Sequence, residues 1–373
     1  MEERKQLFLC NSVYQVMVAL WLKHRYYRSI ESDIIISNHM NEGREISERV
    51  EAAGLFRKTF YGETLEESRY RVKRTRAENI RVNLNQMVLL KQYVALKNEY
   101  TDIYLANFDG FSQLLFTALS RGNVNLRLHV FEDGISTYCD FKKYYEYFRG
   151  YYYDPQVDKR NPIKRLLHQR IYKIRPIYNN ITDFYVFNPQ LMKWNPGIPI
   201  YEMDKIDRMD EEFRLLVRQV FAVDQSVDHY DRKYIFFEES FFADGDTIND
   251  VELVEQLAAQ VGKENIMIKI HPRNPVNRFA ELGYKTNTDT SIPWEVILMN
   301  LGDVSNKVFL TVASSAILNP IMIFGTRIKA YSLFPCLKII PKRLQGEAWA
   351  FLKELFLRYP DMITLCDDIS TIK

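Results

Sequence analysis

Short apolar runs recur along this chain with helix-patterned stretches between them, and that alternation narrows the folds open to it. QLFLCNS (6–12), DIIISN (33–38), TDIYLAN (101–107), NLRLHVF (125–131) and TDFYVFN (182–188) have strand character. VYQVMVALWLKHRYY (13–27), NQMVLLKQYVALKNEY (85–100) and FSQLLFTALSRG (111–122) have helical periodicity. Continuous apolar strands need cover on both faces, and helices crossing from one parallel strand to the next supply it. The pattern pauses at PQLMKWNPGIPIYEMDKIDRMD (189–210), where Pro and Gly break it. It resumes with KYIFFEES (233–240), NIMIKIHP (265–272), KVFLTVAS (307–314) and RIKAYSL (327–333), separated by helical runs near 249–261, 293–300, 315–323 and 345–357. The expected fold is α/β, with two Rossmann-like domains facing a central cleft. Residues 1–190 form the first domain, 191–205 a linker and 206–373 the second.

A length of 373 residues accommodates two such domains, and 47% hydrophobic with 26% charged residues is a globular balance. A net charge of +2 argues against a nucleic-acid binder that works by overall electrostatics. Cys10, Cys139, Cys336 and Cys366 are far apart and form no CxxC pair, so neither a zinc site nor a disulfide framework is expected. The apolar run in MEERKQLFLCNS is too short for a signal peptide, and no run reaches membrane-spanning length. A cytoplasmic protein is expected. The stretch 142–175 is rich in Lys, Arg and Tyr, which suits a solvated or inter-subunit face, or a surface for an anionic membrane or acidic glycan. Residues 140–178 are expected to be a helical insertion, used for homodimer contacts or for approaching a lipid-linked acceptor.

Ligands of open α/β sheets sit beyond the carboxyl ends of the strands. That rule selects Asn11–Ser12, Asn107, Glu132–Asp133–Gly134, Glu238–Glu239–Ser240, His271–Pro272–Arg273 and Ser314–Ser315. In SSAILNP the serines stand at a helix start, where hydroxyls and unpaired N–H groups hold an anion or form an ordinary N-cap. In HPRNP, Arg273 can grip phosphate and His271 can hold or deliver a proton, or the histidine is structural. EDG offers a general base beside Gly134, which permits a left-handed turn, or it is a plain turn. FFADGDT (241–247) carries further carboxylates for a base, a solvated turn or a metal.

The order of these pieces resembles bacterial sialyltransferases that carry a D/E-D/E-G motif, an HP motif and a paired-serine motif. The likeness is nearest to glycosyltransferase family 52, which includes lipooligosaccharide and capsule sialyltransferases. It covers most of the chain through NSVYQ, EDG, HPR, IPWE and SS, although many relatives have Thr-Pro-Leu-Gln where NSVYQ stands. The resemblance implies a GT-B fold and inverting, metal-independent transfer from CMP-sialic acid to a galactoside hydroxyl of a surface glycan, with no cofactor. His271 would meet the CMP phosphate with Arg273 nearby. Ser314 and Ser315 would hold that phosphate, and Glu295 the ribose. The base would be Asp244, with Asp246 behind it, or Asp133. Asn11, Ser12, Gln15, Glu132 and Gly134 would contact substrate. Two alternatives are a transferase using another nucleotide-linked donor and a non-catalytic capsule-assembly protein.

Overall fold

In the computed structural model, which describes residues 4–64, 99–139, 177–193, 197–223, 230–287 and 292–372 with isolated positions between, the apolar runs form the interiors of two parallel sheets. The chain divides into two units, Met1–Asp204 and Lys205–Lys373. The first contains β1 (Lys5–Cys10), β2 (Glu31–Ser37), β3 (Lys58–Gly62), β4 (Asp102–Leu105), β5 (Arg127–Phe131), β6 (Ile181–Val186) and β7 (Ile200–Glu202). Their order is β3-β2-β1-β4-β5-β6-β7. Strand β7 lies within the stretch expected to be a linker and forms one edge of this sheet.

The second unit contains β8 (Tyr234–Phe237), β9 (Ile266–Lys269), β10 (Lys285–Thr286), β11 (Val308–Thr311), β12 (Lys329–Ser332) and β13 (Ile363–Leu365), ordered β10-β9-β8-β11-β12-β13. Each sheet is wound outward in two directions from a central pair. Those pairs are β1/β4 and β8/β11, and the reversal of chain direction leaves a crevice at their carboxyl ends.

Local chemistry explains the crossovers. Ser12 caps helix Val13–Arg25 by accepting the Gln15 N–H, and Lys23, His24 and Arg25 complement the dipole in its last turn. Asp109 caps helix Gly110–Leu119 in the same way, accepting from Ser112. Leu7, Leu9, Ile103, Leu105, Leu128 and Val130 pack against Phe111, Leu115 and Phe116 in the core of the first unit. The helical pattern at 85–100 and the expected insertion at 140–178, including the basic tyrosine-rich stretch, lie outside the described residues apart from isolated positions. Among the described residues no helix is long and apolar enough to cross a membrane.

One buried polar group interrupts the first sheet. His129 lies between two carboxylates, with Nδ1 2.7 Å from Asp183 Oδ1 and Nε2 2.7 Å from Asp102 Oδ1. Tyr104 stacks on its ring, and Arg4 and Arg127 bind Asp102 from the margin of the sheet. Burial opposes the imidazolium, but the hydrogen bonds to Asp102 and Asp183 raise its pKa above the ordinary 6.5. Asp102, despite its own burial, is held far below the usual carboxylate range by His129, Arg4 and Thr101.

The two shifts bound the pH range of this contribution. A raised imidazole stabilises the fold fully below its unfolded pKa and loses that contribution as pH climbs through the folded value. A depressed carboxylate contributes above its unfolded pKa and loses it in acid. His129→Gln should therefore cost about 2 kcal/mol near pH 5–6, less than the ~3–5 kcal/mol of a carboxylate left alone, because Arg4 and Arg127 still pair with Asp102 and the glutamine amide can donate to Asp183. The deficit should shrink as pH rises past the His129 pKa. Urea unfolding of both proteins from pH 5 to 9 measures this, and a pH-independent deficit would contradict it.

Candidate active site

The crevice of the second sheet is built from the loop that follows β8. Glu238, Glu239 and Ser240 leave the strand, and the chain turns through Asp244, Gly245 and Asp246. Gly245 has φ +79°, a backbone region open to glycine, and the Asp246 N–H closes the turn on the Phe241 carbonyl at 2.9 Å. Ser240 Oγ donates to Asp244 Oδ2 at 2.9 Å.

The HPR segment after β9 is tied to this loop at several points. Arg273 donates to Asp244 Oδ1 at 3.2 Å and to Ser240 Oγ at 2.5 Å. Asn274 donates to the Glu239 carbonyl at 2.9 Å and accepts the Ala243 N–H at 3.1 Å. The His271 N–H donates to Glu238 Oε2 at 3.1 Å. The Arg273 N–H donates to His271 Nδ1 at 3.2 Å, so the neutral imidazole carries its proton on Nε2.

The serine pair after β11 joins from the other side of β8. Glu239 Oε1 accepts from Thr311 Oγ1 at 3.1 Å and from the Ala313 N–H at 3.2 Å, and Thr311 Oγ1 accepts the Ser314 N–H at 2.9 Å. Ser314 caps the turn through the Ala316 N–H at 3.2 Å. The helical run expected at 315–323 begins as a 3-10 turn, Ser315–Ile317, and only then becomes the helix Asn319–Phe324. Both serines are half-buried. Glu295, in the first turn of helix Trp294–Asn300, accepts from Asn319, and Trp294 Nε1 donates to the Ala316 carbonyl at 3.2 Å. Asp244, Asp246, His271, Arg273, Ser314, Ser315 and Glu295 thus stand on one set of interlocked segments.

Sequence reasoning passed over Lys269, Thr311, Asn319 and Arg278. Lys269 ends β9 and is buried; burial lowers its pKa to about 8, opposed by the charges of Glu295 and Asp289. Burial raises the Glu295 carboxyl, opposed by Lys269 and Asn319. Lys269 stands two residues before His271, at the carboxyl end of β9, and its charge is felt by Glu295. A lysine inside the otherwise apolar run NIMIKIHP was the available signal.

The crevice of the first sheet gathers the remaining candidates. Asn11 Nδ2 donates to Asn107 Oδ1 at 3.0 Å and Asp109 Oδ2 at 2.6 Å, and the Asn11 N–H donates to Gln15 Oε1 at 2.6 Å. Gln15 Nε2 in turn donates to Asp133 Oδ1 at 2.8 Å. Burial raises the Asp133 pKa, Gln15 opposes the shift and Asp109 adds to it. Ser12 is occupied as the helix cap, and Gly134 has φ +66° at the turn. Glu132 is 1% exposed and orders that turn by accepting from Tyr14 at 2.9 Å, from the Phe187 N–H at 2.8 Å and from the Tyr138 hydroxyl. Among the described residues no three His, Cys, Asp or Glu side chains are grouped as for a metal ion.

The family model "Alpha-2,8-polysialyltransferase (POLYST)" matches residues 6–333. No curated protein sequence matches the chain. Among solved structures, the alpha/beta-galactoside alpha-2,3-sialyltransferase of the luminous marine bacterium Photobacterium phosphoreum is similar at TM-score 0.53 and 10% identity, over 100% of each chain. Arabidopsis thaliana UGT89C1, complexed with UDP-L-rhamnose, is similar at TM-score 0.46 and 10% identity, over 98% of this chain and 84% of that one. The fold is of the GT-B type. The match supports the sialyltransferase likeness of the motifs at family level, through a polysialyltransferase model in place of family 52.

The Lys269 environment has a measurable consequence. A lysine depressed in the fold binds fewer protons than in the unfolded chain between the two pKa values, so its penalty is relieved as pH rises through that interval. Relative to Lys269→Met, the wild-type protein should gain up to ~3 kcal/mol between pH 8 and 10.5. Urea unfolding across that range tests this, and a constant offset would mean that Lys269 has ordinary basicity.

Proposed function

The chain belongs to the alpha-2,8-polysialyltransferase family, and from that premise we propose that it transfers sialic acid from CMP-sialic acid to a hydroxyl of a surface glycan. The observation that carries this is the tying of Asp244, His271, Arg273 and the Ser314 segment to the strand end of β8. A base, an acid and an anion cradle are what displacement of a nucleotide phosphate by a sugar hydroxyl requires.

In the proposed step the acceptor oxygen attacks the anomeric carbon of the sialyl group, and the bond from that carbon to the phosphate oxygen breaks. Inversion follows from attack opposite the departing CMP. The hydroxyl proton passes to a carboxylate, and we assign it to Asp244, with Asp246 in the same turn and Asp133 as the alternative. His271 Nε2–H is directed to the phosphate, where it donates a hydrogen bond or the proton itself. The Ser314 and Ser315 hydroxyls and the Lys269 charge stabilise the leaving anion as it forms.

The Arg273 side chain is 61% exposed and paired to Asp244 at 3.2 Å. In this reading the guanidinium exchanges Asp244 for the donor phosphate, so that donor binding itself releases the base. Glu295, with Asn319, is assigned to the ribose hydroxyls. Asn11, Ser12, Gln15 and Gly134 are assigned to the acceptor side. We propose transfer without a metal, with Arg273 and Lys269 countering the phosphate charge and the serine hydroxyls donating to it.

The acceptor has two forms. A galactoside hydroxyl of lipooligosaccharide or capsule is the one implied by the motif order. The family description favours a sialic acid terminus instead.

Thermal shift and turnover test the whole. CMP at 100 times its dissociation constant should stabilise the protein by about 2.7 kcal/mol. A shift with UDP and none with CMP would reject the donor. His271→Ala should lower kcat by ~10²–10⁴-fold and retain the CMP shift. Full activity of that variant would overturn the mechanism. Galactoside and sialoside acceptors compared side by side, with and without a chelator, decide the acceptor and the metal requirement.

A further inference from the structure

The His271 backbone N–H is held by a residue at the carboxyl end of the neighbouring strand β8. Glu238, the first residue beyond β8, is 3% exposed, and its two oxygens are divided between two donors. Oε2 accepts the His271 N–H at 3.1 Å, and Oε1 accepts from Arg278 at 2.9 Å. Arg278 is clamped in its turn, because its guanidinium donates to both oxygens of Asp250, at 2.7 and 3.3 Å, in the first turn of helix Asp250–Val261. The rings of Phe242 and Phe279 lie 4.9 and 5.6 Å from its guanidinium carbon.

We propose that Glu238, fixed by the Arg278–Asp250 clamp, is the positioning residue that sets the orientation and tautomer of His271. The inference rests on the assignment of His271 to the leaving phosphate. Its physical content is that the segment after β9 carries a strand end, a turn and an imidazole on few residues. The backbone bond from Glu238 holds the first of these, His271 itself. Only with that N–H held does the Arg273 N–H meet Nδ1 at 3.2 Å and leave the proton on Nε2. Arg278 is needed because one carboxylate buried against a single peptide N–H would be under-compensated. A serine or water in place of Glu238 could satisfy the N–H without fixing its direction.

Glu238→Gln is the informative change. It keeps the shape, leaves Arg278 paired with Asp250, and offers only one acceptor oxygen to two donors. We expect kcat to fall ~10–100-fold with donor KM and the CMP thermal shift unchanged, since misalignment of about an ångström costs on the order of 100-fold. The ¹⁵N spectrum of the His271 ring should lose its preference for the Nε2–H tautomer, a signature that loss of stability alone would not produce. Unchanged kcat and tautomer would overturn the proposal.

If Glu238→Gln does not fold, Arg278→Lys decides. It keeps the charge but not the fork, and the same split of kcat from KM supports the clamp, whereas wild-type kcat refutes it. Failure of the donor assignment is distinguishable, because wild-type protein would then show no CMP shift while the tautomer measurement still reports on Glu238.

Discussion

Two adjacent carboxylates at the end of β8 hold the candidate site together. β8 sits where the second sheet reverses direction, with β9 on one side and β11 on the other. Successive residues point to opposite sides as the strand leaves the sheet. Glu238 accordingly binds the segment after β9 through the His271 N–H, and Glu239 binds the segment after β11 through Thr311 and the Ala313 N–H. A carboxylate as buried as that of Glu238, 3% exposed, is tolerated only when its oxygens are matched to donors, and Glu239, half-buried, is matched in the same way. That requirement makes the strand end a fixed geometric reference for two loops that would otherwise be independent.

The two units use charge differently. In the first, Asp102 and His129 are buried against Tyr104 at short range from one another, with Arg4 and Arg127 closing the group at its margin. In the second, the Arg273–Asp244 pair lies at the surface of the crevice, with side-chain exposures of 61% and 31%. An ion pair with that much solvent contributes little to stability. Its partners can therefore be traded for a ligand at small cost, which the buried group cannot do.

Every interior strand was legible in the sequence, and all four sheet edges were not. β1, β2, β4, β5 and β6, like β8, β9, β11 and β12, are covered on both faces and so read as continuous apolar runs. The edges β3, β7, β10 and β13 have two to five residues and half-exposed or exposed positions, so KTFYG and IYE carry no run to detect. That is also why the stretch around 200 looked like a linker. Strand ends were legible because the doubly wound rule points at them before any chemistry is considered. Arg278 and Asp250 were not, since each lies in a helix and becomes relevant only through a contact 40 or 28 residues away in the chain.

The same contrast bears on which carboxylate serves as base under the proposed function. Burial raises the Asp133 carboxyl, Gln15 opposes the shift and Asp109 adds to it, which makes its carboxylate the stronger base. Asp244 is held by different partners, the Arg273 guanidinium at 3.2 Å and the Ser240 hydroxyl at 2.9 Å. A base must be both ionised and able to take a proton, and the groups around each carboxylate decide how donor binding could change that. Under the proposed function Asp244 is freed when Arg273 is drawn to an incoming phosphate, because a guanidinium pairs with phosphate through two parallel hydrogen bonds. Among the described residues the Asp133 side chain accepts from Gln15, which is neutral and is itself bonded to the Asn11 N–H. Coupling of basicity to donor occupancy therefore favours Asp244, and it does so for a reason that operates entirely within one unit.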